Sequence, residues 1–372
     1  MKKILLCYLG RNGAGPVYSY EMAKALIENG NEVSVVISSY IENLTMWQKL
    51  PVHKLIDIKT YSSKISYAIN STLFGLRQRK KIKKVIGNEQ FDLMYIPMMS
   101  YWDAKLMNCV KYEQLVTTVH DPIPHSGESK YNKRIMPSVT CADKLVALSN
   151  EFVDYMKERF GKPVIMIPHG RFNYYKDNFG SQNVLSKNAT ITNFLFFGRI
   201  TEYKGLKILA NAFKLIQDKM NDYRLTVAGP GMWSDYEQDF KGVNNLDVIN
   251  KWFGAEDINK LYLMPNVVTI LPYIDATQSG IIPVAKEYFS PVIASDSGGL
   301  KEQIEDNVTG LLSKTSDSQS LAEAILKLYS DKKLRDRLAQ NAYNQLEELS
   351  WDKLAKKMLE EIYVIDNIHP NI

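Results

Sequence analysis

An apolar strand that runs straight into a glycine loop, a helix and a second apolar strand constrains this chain more than any other feature. The pattern recurs in two long series. In the first, ILLCYL leads into the loop Gly10 to Gly15, then an amphipathic helical stretch YSYEMAKALIENG closed by Gly30, then VSVVIS. Strands that read as unbroken apolar runs are those buried on both faces, and joining parallel ones requires a crossover helix. The first series continues through FDLMYIP, QLVTTVH, KLVALS and PVIMIPHG, and a second runs NFLFFG, YRLTVAGPG, LDVINKWF, NVVTILPY and PVIASD. Between them the segment from Arg171 to about Asn193 has no period and reads as a linker.

A chain of 372 residues exceeds what one core supports. The expectation is therefore an α/β protein of two doubly wound domains, residues 1–175 and 176–351. If the two sheets face each other, their strand ends surround a central cleft able to hold one ligand from each side. The closing segment WDKLAKKMLEEIYVI has an apolar face of Trp351, Leu354, Met358, Ile362 and Ile365. The helix over 352–372 is expected to pack back on the first domain.

Composition, 45% apolar and 23% charged, excludes a disordered, collagen-like or disulfide-rich chain. The three cysteines, Cys7, Cys109 and Cys141, form no CxxC pair and have no histidine at ligand spacing, which suits a reducing, cytoplasmic compartment. The start MKKILLCYLG reads as a first buried strand rather than a leader. No apolar run reaches the length of a membrane span, about 18 residues, so membrane contact would be peripheral, on the inner face. Much of the net charge of +5 sits in Arg77, Arg79, Lys80, Lys81, Lys83 and Lys84, just after Leu73, Phe74 and Leu76. Clustered cations beside exposed apolar groups suit an anionic membrane surface, although a solvated helix explains them equally well. No nucleic-acid partner is expected.

Two motifs carry chemistry. In FFGRITEYKGLKIL a buried strand enters a loop with Arg199 and Lys204, and a helix begins near Gly205. A guanidinium fork and an ammonium beside a helix N-terminus suit a diphosphate, where the plain alternative is two surface cations. In LPYIDATQSGIIPVAKEYF a strand ends at Pro272, and Ser279 and Gly280 open a helix with no charge before Lys286. Glycine there lets main-chain amides approach a phosphate. PVIASDSGGLKE adds a further strand and the turn Gly298–Gly299.

The order GRxxxxKG, AGPG at Ala228 to Gly231, strand, SG, helix and PVIASDSGG resembles glycosyltransferase family 4, whose fold is GT-B with two Rossmann-like domains. The likeness extends to Gly13–Gly15 and to Ser350–Trp351, so it spans nearly the whole chain. It implies transfer of a sugar from a UDP-, GDP- or dTDP-sugar donor, with retention, to a glycan or lipid-linked acceptor. Such chains serve bacterial surface polysaccharide synthesis. By the same resemblance Arg199 and Lys204 hold the donor diphosphate, and the amides around Ser279 and Gly280 lie beneath it. Gly13, Ala14 and Gly15 face donor and acceptor, and His120 lies near the transferred sugar. Gly198, Gly229, Trp252, Phe253, Thr277, Gln278 and Ile281 complete the donor-side set. His125 and Glu128, in the loop HDPIPHSGE, are candidates for the acceptor. That loop lacks the histidine spacing of a zincin, and neither a metal nor another cofactor is expected beyond the nucleotide-sugar co-substrate.

The chain departs from the family at one place. Where two glutamates seven residues apart usually contact donor sugar and ribose, it has Thr277 and Ala285. Glu287 cannot take over, because two helical positions turn a side chain by roughly 200°. The departure leaves a degenerate sugar-nucleotide-binding or partner-supporting subunit as an alternative. It also suggests a dTDP-sugar donor, whose deoxyribose lacks one of the hydroxyls that a carboxylate would clamp. A dinucleotide oxidoreductase fits less well, since GRNGAG is not GxGxxG and VSVVISS ends without an acid.

Overall fold

The computed structural model describes residues 1–123, 136–180 and 191–368, the last five of these as helical backbone. Among the described residues, thirteen strands form two all-parallel sheets. The first comprises β1 (Lys3–Tyr8), β2 (Glu32–Ser38), β3 (Lys54–Ile58), β4 (Gln90–Ile96), β5 (Lys111–Val119), β6 (Lys144–Ala147) and β7 (Val164–Met166). The second comprises β8 (Thr192–Phe197), β9 (Tyr223–Ala228), β10 (Leu246–Ile249), β11 (Val267–Leu271), β12 (Val292–Ser295) and β13 (Leu311–Ser313). Their orders are 3-2-1-4-5-6-7 and 10-9-8-11-12-13. Both are doubly wound, and each reverses direction at one point, between β1 and β4 and between β8 and β11. Ligands of such sheets bind outside the carboxyl ends of the strands at that reversal.

The chain divides into two compact units. Met1–Pro122, the stretch ending at Gly170 and the chain from Ser350 onward make the first, and Arg171–Leu349 supplies nearly all of the second. In the first unit the helix Ala14–Glu28, expected to be amphipathic, is buried from Gly15 to Ala23 without a break. Its outer face is covered by the closing helix, Trp351–Ile368. Trp351 packs edge-on against Tyr18, with ring centroids 5.0 Å apart. Any Cβ at Gly170 would lie 2.4 Å from the Trp351 ring, so only glycine admits it. Trp351, Leu354, Met358 and Ile362 are buried, each adding about 1.5–3 kcal/mol of burial, while the Ile365 side chain lies outside the described atoms. Asn29 Nδ2 donates to the Asp352 carbonyl (2.9 Å), Lys357 Nζ to that of Met166 (3.1 Å) and Lys144 Nζ to that of Ile362, tying the helix down along the length of its contact.

Two sequence expectations change. The segment read as a linker opens with a helix, Tyr174–Phe179, whose Tyr174 and Tyr175 are buried in the second unit. Its period was invisible because it is shorter than two turns. The edge strands β3 and β13 were not foreseen: β3 is five residues with two charges, Lys54 and Asp57, breaking its apolar run, and β13 has three residues.

Candidate active site

In the second unit the loops after β8 and β11 flank the point where strand order reverses. They interlock through main chain: Ile274 N donates to the Tyr203 carbonyl at 2.8 Å, and a Cβ on Gly205 would stand 1.7 Å from the Pro272 carbonyl oxygen. Gly205 has φ 70° and caps the helix Leu206–Ile216, so its place needs glycine twice over, for contact and for backbone. The loops after β8 and β9 are equally close. A Cβ at Gly229 would fall 1.8 Å from the Gly198 carbonyl oxygen, and Ile200 N donates to the Pro230 carbonyl at 2.8 Å. Gly198 and Gly229 therefore shape the site through packing.

Arg199 is exposed on this framework, with no hydrogen bond or ion pair to any described residue. Lys204 Nζ lies over the ring of Tyr273, 3.6 Å from its centroid, and 4.7 Å from that of Tyr203. An aromatic face holds an ammonium without neutralising it. Two buried oxygens on these loops, Thr201 Oγ1 and Gln278 Oε1, have no hydrogen-bond partner among the described residues, and Tyr273 Oη lies beside the Ser279 hydroxyl. Burial pushes the Tyr273 phenol up, so it stays protonated as a donor. Beyond β10, Trp252 is 48% exposed, whereas Phe253 is buried edge-on to Phe197 at 5.4 Å. Of these two only Trp252 has a ring face open to a ligand.

The helix Ile281–Glu287 begins where the SG motif predicted, with Gly280 as its cap residue. Its amides, however, are mostly taken. Ser279 N donates to Gln303 Oε1 (2.8 Å), Ile281 N to Ser279 Oγ (3.3 Å) and Ile282 N to the Ser279 carbonyl (3.4 Å), while Pro283 has no N–H. Of the four amides from Ser279 to Ile282, only that of Gly280 has no partner among the described residues. Thr277 and Ala285, where the family glutamates would stand, are both buried. Glu287 is held by Arg171 through two bonds, Nε at 2.7 Å and a terminal guanidinium nitrogen at 3.1 Å. No carboxylate on this helix is left over for a ribose. Lys286 is buried without a carboxylate partner among the described residues, donating to the Gln303 carbonyl (2.8 Å) and Gln345 Oε1 (2.9 Å), and desolvation pulls its pKa down to about 8.

At the reversal point of the first sheet the chemistry differs. Gly13, with φ 91°, caps the helix that starts at Ala14, so Gly15 lies inside that helix. The room beside Gly15 is filled by the protein itself, since a Cβ there would meet Tyr8 Oη at 2.3 Å. His120, at the end of β5, bonds through Nε2 to the Pro97 carbonyl at 2.8 Å, which makes Nε2–H the donor and leaves Nδ1 as acceptor. Burial lowers the pKa of His120, and takes His169 down to about 3 with help from its neighbour's charge. Both imidazoles are neutral at physiological pH, each packed edge-on against Tyr18. His125 and Glu128 lie outside the described residues.

Elsewhere in this unit Arg77 caps the helix Gln78–Ile86, which carries the other basic residues. Phe74, expected to be exposed, is buried, while Leu76 is 63% and Ile65 74% exposed. Lys81 is tied to Asp57 at 2.8 Å, so five of the six cations remain outward: Arg77, Arg79, Lys80, Lys83 and Lys84. Glu32, His53 and Glu89 come close enough to share a cation, but Lys3 and Lys54 already pair with the two carboxylates, making this an ion-pair network. Among the described residues no helix is long and apolar enough to cross a membrane.

This pair of parallel sheets, with cationic loops at the reversal point of the second, defines a GT-B fold. Residues 178–345 match the family described as glycosyl transferases group 1, and residues 15–171 match glycosyltransferase family 4. Together these matches support a glycosyltransferase. Similar chains include an uncharacterized glycosyltransferase of Methanocaldococcus jannaschii, 26% identical with 87% of this chain and 88% of that protein covered. The O-antigen chain mannosyltransferase C of Escherichia coli is 24% identical, with 79% and 80% covered. Among solved structures, Anabaena HepE in complex with UDP-glucose superposes with TM-score 0.71 at 16% identity, covering 97% of this chain and all of that one.

Proposed function

We propose that this chain is a retaining glycosyltransferase that moves a sugar from a nucleoside diphosphate to a glycan or lipid-linked acceptor in bacterial surface polysaccharide assembly. The observation that carries the reading is Arg199, exposed and without a partner among the described residues, on the same loop as an aromatic-held Lys204, with the open Gly280 amide on the other loop at the reversal point of a parallel sheet. In the reaction the bond from anomeric carbon to diphosphate oxygen breaks while the acceptor hydroxyl bonds to that carbon on the same face. The departing phosphate oxygen takes the hydroxyl proton, so no protein nucleophile is required. Arg199 and Lys204 offset the charge growing on the phosphate, and the exposed Trp252 ring suits stacking on the base. His120 Nδ1 accepts a hydrogen bond from a sugar hydroxyl. The O-antigen mannosyltransferase relative supports a surface-glycan acceptor.

The absence of a spare carboxylate favours, as a second reading, a subunit that binds sugar nucleotide without turning it over. A panel of UDP-, GDP- and dTDP-sugars separates the two. Thermal stabilisation with release of free nucleoside diphosphate on adding acceptor extract supports the enzyme, stabilisation without turnover supports the binding subunit, and neither response defeats both. The five outward cations beside Leu76 suit an anionic lipid surface, at about 1 kcal/mol each. Co-sedimentation with phosphatidylglycerol vesicles at low salt is expected, and replacing these five by glutamine should abolish it. Binding unchanged by the replacement would refute the docking surface.

A further inference from the structure

The turn between β11 and the Ile281–Glu287 helix is held from an unexpected direction. Gln303, at the end of the short helix Leu300–Gln303, grips the Ser279 peptide at both ends, accepting from its N–H (2.8 Å) and donating from Nε2 to its carbonyl (3.0 Å). A side-chain amide thereby does what a neighbouring strand does in a ladder, pairing donor and acceptor of one residue together. The grip is itself anchored. Lys286 Nζ donates to the Gln303 main-chain carbonyl, and Gln345 Oε1 accepts a second proton from the same ammonium. Lys286 is only 3% exposed and its two acceptors are neutral, so nothing but this anchoring offsets the cost of burying it. The turn is tied at its other end too, by Gly299 N to the Ala276 carbonyl (3.2 Å) and Ser297 Oγ to the Ile274 carbonyl (3.0 Å).

We infer that Gln303 is a positioning residue for the donor, setting through Ser279 the aim of the Gly280 amide, with Lys286 as its anchor. This rests on the donor site proposed above. Geometry gives the reason: Ser279 cannot rotate without breaking two bonds at once, and the amide one residue on is, among the described residues, the only one of the four from Ser279 to Ile282 without a partner. The lost family carboxylates make such bracing more consequential, because a donor contacted at fewer points depends more on each one being in place.

The structure offers a built-in control. Glu287, next along the helix, is paired with Arg171 and not with the turn, so Glu287→Gln is expected to lower Tm while leaving nucleotide affinity unchanged. Calorimetric titration with UDP, GDP and dTDP, with Tm measured alongside, tests the assignment. Gln303→Ala is expected to weaken the best-bound nucleotide roughly tenfold. Gln303→Glu, which keeps the acceptor for the Ser279 N–H but loses the donor, is expected to weaken it roughly threefold, both scaled on the net value of a hydrogen bond. In turnover the same variants should raise donor KM and leave kcat within about twofold, the pattern of lost uniform binding. If the wild type binds none of the three nucleotides, the donor site itself is wrong. If it binds and Gln303→Ala binds equally well, or more tightly because a freed Ser279 amide reaches the phosphate, the positioning role is wrong while the donor site stands.

Discussion

Where the strand order of the first sheet reverses, neutral imidazoles and hydroxyls pack among aromatic rings, and the cation there, Arg11, lies with its guanidinium over the Tyr61 ring. At the same place in the second sheet stand an exposed guanidinium, an ammonium on a tyrosine face and buried oxygens with no partner among the described residues. One topology thus carries two kinds of chemistry. A parallel sheet directs loops to one edge and leaves open what they hold, so charge at that edge reports the ligand better than the fold does. Neutral, desolvated histidines suit sugar hydroxyls, which offer hydrogen bonds and no charge. An exposed guanidinium and an ammonium held on an aromatic face suit a diphosphate, which offers up to three charges.

Substitution turns this contrast into magnitudes. Arg199→Ala and Lys204→Ala are each expected to lose about 1.5–3 kcal/mol of transition-state stabilisation, roughly one to two decades in kcat/KM, with folding unchanged by circular dichroism. His120→Gln, which still offers a donor to the Pro97 carbonyl, should lose less than about one decade, in line with a neutral hydrogen bond. Equal losses at His120 and Arg199 would erase the proposed division of labour. A wild-type rate in either cation variant would remove the diphosphate from that loop.

Much of the fold was readable from sequence because its central strands are continuous apolar runs bounded by glycine. What escaped lies at the sheet edges and in the Tyr174–Phe179 helix, where half-exposed or very short segments leave no period. The cationic loop was legible for the same reason as the strands: Gly198, Arg199, Lys204 and Gly205 keep fixed spacing along one stretch of chain. The Gln303 grip on Ser279 was not, since 24 residues separate the partners and only the crossing of two loops brings them together. Nor could spacing show that helix-start amides were already engaged. Glu287 is the instructive case between these, excluded from the ribose by helical geometry in the sequence and shown by the structure to be spent on Arg171.

That last pairing sharpens the question of the donor base. With Ala285 fully buried and Glu287 bound to Arg171, the Ile281–Glu287 helix offers no carboxylate to a ribose diol. A ribonucleotide donor would then lack a charge-assisted bond worth about 1.5–3 kcal/mol, whereas a deoxyribonucleotide has fewer hydroxyls to satisfy and loses less. The expected outcome is a kcat/KM for a dTDP-sugar equal to or a few-fold above that for the matched UDP-sugar. Ala285→Glu probes the same point from the other side. Adding bulk to a buried position costs about 1–3 kcal/mol of stability, so the variant is compared at a temperature well below its own Tm. If the new carboxylate reaches the ribose, the ratio moves toward UDP by several-fold while Tm rises more on adding UDP than on adding dTDP. A clear wild-type preference for UDP or GDP would rule out the deoxyribonucleotide, and would mean that a main-chain group or Thr277 holds the ribose where the family uses an acid.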